Sequence, residues 1–581
     1  MDARANLFSE LKRRKVLRVG VLYIGATWAL SQGISQLTPA LDLPDWATRA
    51  FLIACAIGFP IALALAWYLE DILVHVHRGL VAGPSASPEP AAGPSRNRAS
   101  PAIPCKSIAV LPFVDLSPTR DQEYFSDGVA EEILNSLVKL KGLKVAGRTS
   151  SFSFKGRNED ARGIGRALSV AHVLEGSVRK HGDRVRITAQ LIQTEDGYHL
   201  WADKFDGDLA DVFELQERIA RAIARELDVL LLGEQRLVPV ATSDPEAYAL
   251  YLEASGIYNR RDVARLAHAA EMLATAIQLD PRFARAHSRL AAVHALQSNS
   301  PGADMDTIIA TVMKEAKQAS TLDPGLGEPY TAIAVACHHA HRFAEGRDAL
   351  EKAQALQPGD AAVWYWSGTM LLIVGYTALA CDWLDRCLSL DPLYPAAMLW
   401  RGVGYLIAGD FNHAERLFEQ AHGAGLVHAW LSMHEITAGR GHLRQAAEQL
   451  AHGMVFLAAG TPKETLEVLA RGVYGDGAER ARALALIDGF VDTRPASLPA
   501  VIPYTLLLMG ETKRALDLGR RFRSANDILY YHRLWMPSMR TLRGSTEFHA
   551  FARDMGLVAL WDQYGPPDGS RRIAAGEYTW D

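Results

Sequence analysis

Apolar and small residues recur in the middle of the chain at a spacing of 34 residues. The interval is marked by Pro324, Pro358 and Pro392, each closing a Leu-Asp-Pro or Leu-Gln-Pro tripeptide. Counting from 361, Trp364, Gly368, Leu371, Gly375, Ala380, Leu384, Cys387 and Pro392 fall at positions 4, 8, 11, 15, 20, 24, 27 and 32. Counting from 395, Gly402, Tyr405, Gly409, Ala414, Phe418 and Ala421 fall at positions 8, 11, 15, 20, 24 and 27. Small residues at 8, 20 and 27 let two helices approach, large ones at 4, 11 and 24 fill the space between, and the proline ends the second helix for want of an N–H. One such pair cannot bury its own apolar face, so pairs stack and leave a concave groove. By this register Trp364 is core, and Tyr365 and Trp366 reach the groove or a neighbouring pair.

This pattern resembles the tetratricopeptide family over 244–425. The unit from 327 fits through Tyr330, Ala334, Leu350, Ala353 and Pro358, with Gly346 where alanine is usual. Upstream, Ala269, Leu273, Ala276 and Pro281 close an earlier unit, and an insertion from Gln297 to Met305 lengthens the gap before Pro324. The resemblance implies a superhelix whose concave surface takes protein or peptide partners. Beyond 425 the period fades; helices continue, as Ala446, Leu450, Met454 and Leu457 suggest, the chain ends with Phe548, Phe551, Leu557, Leu560 and Trp561, and 426–581 is expected to hold degenerate helical repeats and a C-terminal cap. The last dozen residues are expected to be loose.

Two apolar runs precede all this. Val19–Leu37 and Ala50–Leu69 carry no charge, and the second has about the 20 residues a bilayer demands. They predict a two-helix membrane anchor within 1–80. Arg4, Lys12, Arg13, Arg14, Lys15 and Arg18 precede the first run, only Arg49 lies between the two, and Arg78, Arg96 and Arg98 follow. That distribution predicts both ends in the cytoplasm, a multi-pass inner-membrane placement, with a periplasmic body as the alternative. Residues 81–104, rich in proline, serine and alanine, have nothing to bury and read as a linker.

A mixed domain follows over 105–234. Ser107–Phe113 reads as a buried strand, and Val129, Ile133 and Leu137 line one helix face. Lys144–Phe154 is expected to be extended and Ala161–Leu168 a short helix. Val173–Val178 and Val185–Leu191 form a hairpin about His181-Gly182-Asp183, and Tyr198–Phe205 is the next strand. A last helix opens with Asp211 and Glu214 spaced as a capping box and carries Leu215, Ile219, Ile223 and Leu227 on one face. The words Ser-Ile-Ala-Val-Leu-Pro-Phe, Tyr-Phe-Ser-Asp-Gly, Gly-Arg-Thr-Ser-Ser-Phe, Leu-Glu-Gly-Ser-Val-Arg and Ile-Thr-Ala-Gln-Leu-Ile, in this order, resemble the TolB amino-terminal-like domain. That resemblance implies an α/β domain of bacterial envelope and signalling proteins, often found beside a cyclase or DNA-binding output domain; neither output domain is found here. The expected fold class is therefore multidomain: two N-terminal transmembrane helices, a TolB-amino-terminal-like α/β domain and an all-α tetratricopeptide superhelix.

Composition adds little. A net charge of -5 gives no general attraction to nucleic acid, and five cysteines without paired spacing argue against a disulfide framework. The run Gly142 to Thr149 nearly matches a phosphate loop, but Arg148 replaces the lysine that reaches the outer phosphates. Cys337 and His341 are four apart, yet two ligands fall short of a zinc site. Ser136 and Lys139 lack the companion motifs of an acyl enzyme, and His434-Glu435 lacks the second histidine of a metalloprotease. No catalytic, cofactor-binding or metal residue is therefore assigned. The expected function is a non-enzymatic inner-membrane scaffold or sensor, bound to the bilayer by its anchor and to protein partners by its groove. Self-association stays open. The alternative is a signal-transduction regulator whose α/β domain binds a small molecule or nucleotide and alters the contacts of the array.

Overall fold

Residues 107–110 are buried on both sides because a strand sends alternate side chains to opposite faces. In the computed structural model, Ile108 and Val110 of β1 (Ser107–Val110) join one core while Ala109 joins another. The structure describes residues 104–580 apart from 120, 158, 230–235, 299–303, 427–428, 456–460, 494–498 and 522–526. The chain divides into two units, 1–100 and 101–581, and every described residue lies in the second.

β1 pairs in parallel with β3 (Lys144–Val145) and β4 (His172–His181), and β2 (Val114–Asp115) pairs in parallel with the far end of β4. β5 (Arg184–Gln193) and β6 (His199–Asp208) complete the sheet antiparallel, in the order β3-β1-β4-β5-β6. α1 (Glu123–Val138) and α4 (Val212–Glu226) cover one face with Val129, Ile133, Leu137, Leu215, Ile219 and Ile223. On the other face α3 (Ala161–Leu168) packs Ile164 and Leu168 against Ala109 and Val173. Two local expectations are corrected. Residues Arg148–Phe152 form a short helix, α2, rather than continuing an extended stretch. Asp211 is the N-cap of α4, but its side chain caps nothing, and Glu214 pairs instead with Arg236 at 3.2 Å.

The helix pairs follow. They are α5 (Pro245–Asn259) with α6 (Leu266–Leu279), α7 (Ala284–Gln297) with α8 (Met305–Leu322), α9 (Glu328–His339) with α10 (Phe343–Leu356), α11 (Ala361–Ile373) with α12 (Thr377–Leu390), and α13 (Pro395–Ile407) with α14 (Phe411–Gly423). Packing explains the small residues. A Cβ on Gly368 would lie 2.6 Å from Leu384 Cγ, and one on Gly402 would lie 2.6 Å from Phe418 Cε1. Gly375 and Gly409 turn the chain between helices at φ values of +100° and +79°, where a side chain is strained. Trp364 departs from its assigned place: it is half-buried, its indole N–H donating to Pro358 O at 2.8 Å, whereas Tyr365 is buried.

Helical pairing persists past 425 through α15 (Trp430–Gly439), α16 (Leu443–Met454), α17 (Lys463–Tyr474), α18 (Gly477–Thr493), α19 (Val501–Leu508) and α20 (Thr512–Arg521). A 3-10 segment, Asp527–Trp535, then leads to α21 (Arg540–Arg543), α22 (Thr546–Asp554) and α23 (Leu557–Tyr564). The last residues are not loose. β7 (Ser570–Ala574) and β8 (Glu577–Trp580) form a hairpin that sets Trp580 against Phe548, Trp535 and Trp561 at ring distances of 5.7, 5.9 and 6.0 Å.

The expected fold class is corrected accordingly. The described residues form a helical superhelix of tetratricopeptide type and a small mixed-sheet domain, and none of their helices is long and apolar enough to cross a membrane. The apolar runs 19–37 and 50–69 lie outside the described residues.

Candidate binding groove

The first helices of four successive pairs, α5, α7, α9 and α11, border a small shallow cleft, with room for about one water and with Tyr258, Ala292, Leu296, Thr331, Val335 and Trp366 in its walls. Alanines on α7 leave the floor open. One helical turn before Ala292, the buried Arg289 holds its guanidinium carbon 4.7 Å above the Tyr258 ring, with Nε 2.9 Å from a Glu328 oxygen. Burial works against the Arg289 charge, but Glu328, Tyr251, Glu131 and Tyr258 together more than offset it and hold the group protonated. Glu328 also accepts a hydrogen bond from Ser288 Oγ at 2.7 Å.

Arg261 is the other cation. It follows α5 at a φ of +54° and lies 5.4 Å from the Tyr258 ring and 5.6 Å from the Trp366 ring. The residue as a whole is exposed, but its guanidinium is packed among these rings and hydrogen-bonded to Tyr394, and among the described residues no carboxylate pairs with it. Tyr365 stacks on Tyr394 at 5.0 Å and meets Trp366 at 5.0 Å, so the rings brace one another. Asp360 caps α11 by accepting the Ala362 N–H at 2.8 Å. Burial, reinforced by Glu328, pushes its carboxyl up to about 6. The cleft is far smaller than a drug-sized or nucleotide site, and suits at most the tip of one side chain of a longer segment.

The first helices of the later pairs are covered by the chain itself. His532 meets Trp400 edge-on at 5.6 Å, Arg533 pairs with Glu435 and lies 5.7 Å above Tyr504, and the Trp535 indole donates to Ile373 O at 2.8 Å. His434 is buried with Nε2 3.2 Å from Tyr504 Oη, and burial lowers its pKa well below the usual range. It is a packed core histidine.

The phosphate-loop-like run has a different occupant. The Thr149 and Ser150 N–H groups donate to Asp391 at 3.0 and 2.7 Å, and the Gly147 N–H donates to Leu390 O at 2.8 Å. Asp391 belongs to a Leu-Asp-Pro turn of the array, so a carboxylate from the repeats sits where a phosphate would. A Cβ on Gly147 would lie 2.4 Å from Asp391 Cβ. Beside this contact, Glu131 of α1 accepts from Arg148 Nε at 2.7 Å and from Asn259 Nδ2 at 2.9 Å, and Glu132 pairs with Arg285.

The remaining candidates are accounted for by packing. Cys337 is buried, His338 meets Phe343 edge-on at 4.9 Å and His341 stacks on it at 5.8 Å; among the described residues no group of three or more metal-competent side chains comes together. Ser136 Oγ donates to Glu132 O at 2.8 Å. Tyr258, Arg261, Arg289 and Glu328 escaped the sequence reading because the 34-residue period marks packing positions, and these residues lie on the face that packing leaves over.

A family described as "HilA/YgeH-like transcriptional regulator, second domain" matches residues 104–222. A protein of Rhizobium meliloti (strain 1021) described as "Putative adenylate cyclase 3" is 40% identical over 196 residues, which is 33% of this chain and 33% of that protein. The match thus spans about a third of the relative's length. Among solved structures, Pseudomonas aeruginosa PilF is 18% identical at a TM-score of 0.29, over 38% of this chain and 94% of that one. YrrB, described as a TPR protein with an unusual peptide-binding site, is 20% identical at a TM-score of 0.25, over 35% and 98%. The human IFIT1 dimer with PPP-AAAA is 15% identical at a TM-score of 0.34, over 58% and 82%.

Proposed function

We propose that this chain is a non-enzymatic scaffold or sensor that holds a segment of a partner protein across α5, α7, α9 and α11. The observation that carries this reading is Arg261, an exposed residue whose guanidinium is set between the Tyr258 and Trp366 rings with no carboxylate partner among the described residues. Aromatic and arginine side chains of this kind dominate binding energy at interfaces. The net charge of -5 favours a protein over a nucleic acid as partner. The test is affinity capture with the full chain, followed by titration of each captured protein. Arg261→Ala and Trp366→Ala are each expected to weaken binding about tenfold or more, with unfolding midpoints near the parent's. Unchanged affinity in both variants overturns the reading.

A second reading, a signal-transduction regulator with a TolB-amino-terminal-like domain, is favoured by the Asp391 contact, which ties the mixed domain to the array. The match of residues 104–222 to a transcriptional-regulator domain and the partial likeness to "Putative adenylate cyclase 3" support it. On either reading we place the described body in the cytoplasm, supported by the unpaired state of Cys105, Cys337, Cys381 and Cys387. Alkaline phosphatase fused after Asp581 is expected to be inactive in cells, and an active fusion refutes the placement.

A further inference from the structure

β6 (His199–Asp208) is the last strand of the mixed sheet, bonded to β5 on one side, and among the described residues no strand pairs with its other side. The Leu209 N–H donates to Asp183 O at 2.7 Å, next to the Arg184–Asp208 pair, so the odd-numbered residues from Trp201 to Gly207 carry the ladder to β5. Ala202, Lys204, Asp206 and Asp208 therefore turn their N–H and C=O groups outward, and all four residues are exposed. In keeping with this, the Lys204 N–H donates to Asp203 Oδ1 at 2.7 Å rather than to β5. An open edge of this kind is a template for another strand. Charge of one sign blocks such an edge, but here the signs balance. Arg184 lies 3.4 Å from Asp208 and Arg186 lies 2.6 Å from Asp206, while Lys204 makes no ion pair among the described residues.

We propose that the free edge of β6 pairs antiparallel with β6 of a second copy of this chain. A two-fold axis perpendicular to the sheet sets even-numbered residues opposite even-numbered ones, so the outward backbone groups of one copy face those of the other. Charge then selects the register. An axis through Asp203, Lys204 or Asp206 sets like charges face to face, and one through Gly207 sets Asp206 against Asp208. An axis through Ala202 gains no pair of opposite charges. An axis through Phe205 sets Lys204 of each copy opposite Asp206 of the other, with Ala202 opposite Asp208 and Asp203 opposite Gly207. Opposite charges directly across a strand pair stabilise it, and this register has two such pairs and no like-charged one. The proposal is independent of the groove reading and uses none of its residues.

The test is the mass of the full chain in mild detergent, read by light scattering and sedimentation over a wide range of concentration. A dimer is expected. Ala202→Pro removes an outward N–H in each copy and leaves the ladder to β5 in place, and it is expected to raise the dimer Kd about tenfold or more. Lys204→Glu sets a carboxylate opposite Asp206 in both symmetric pairs and is expected to raise the Kd by about the same factor. Lys317→Glu, the same charge change on an exposed position of α8, is expected to leave it unchanged. Since Lys204→Glu alters only an exposed side chain, it keeps the test readable if Ala202→Pro folds poorly. A monomeric parent, a dimer that both edge variants hold as tightly as the parent, or one that Lys317→Glu weakens equally overturns the proposal.

Discussion

Asp360 shows how one side chain can serve local structure and oppose stability at once. It caps α11, yet burial and the nearby Glu328 carboxylate raise its pKa to about 6 from an ordinary 3.8. A carboxyl raised in the folded state favours the protonated form, so its contribution is fully present below about 3.8 and is lost as pH rises through about 6. Asp360→Asn keeps an acceptor for the Ala362 N–H and removes the titration. Chemical denaturation from about pH 4 to 7 is expected to show the variant gaining on the parent as pH rises; a constant difference counts against this account. Nothing in the sequence around Asp360 announces the shift, because Glu328 and Arg289 reach it only through the stacking of helix pairs.

At the scale of elements, α2 is the instructive case. The run Ser-Ser-Phe-Ser-Phe alternates polar and apolar residues, which locally favours an extended chain. It is helical from Arg148 to Phe152 because Asp391, more than two hundred residues later, accepts its first N–H groups, and Leu393 N–H donates to Ser150 Oγ at 2.7 Å. Asp391→Ala leaves those donors buried and unmet, and it is expected to cost about 1–3 kcal/mol in denaturant unfolding. Asp391→Asn retains one acceptor oxygen and is expected to cost less. Equal stability of Asp391→Ala and parent sinks this view of the contact. By contrast, the strands β4 and β5 and the helix α1 were legible in advance, since alternation and 3.6-residue spacing depend only on neighbours along the chain.

At the scale of the whole molecule, the C-terminal segment closes the array onto itself. The Trp561 indole donates to Val374 O at 3.1 Å, Tyr376 Oη donates to Gly565 O at 2.6 Å, and Trp580 completes the aromatic cluster around Trp535. Trp561→Ala is expected to cost about 3–5 kcal/mol, read as a fall in the unfolding midpoint, and a loss well under 1 kcal/mol speaks against a tightly packed cap. The repeating proline, the small residues at helix crossings and the apolar stripes were written in the sequence, because each sets which side of its own helix or strand must leave water. Only the tertiary structure decided that Tyr531–Trp535 covers the later helices while Tyr258, Arg261 and Trp366 border open space, and that Asp391 occupies the turn before α2. Those outcomes join residues far apart in the chain, and the position of each partner depends on how every intervening helix pair stacks.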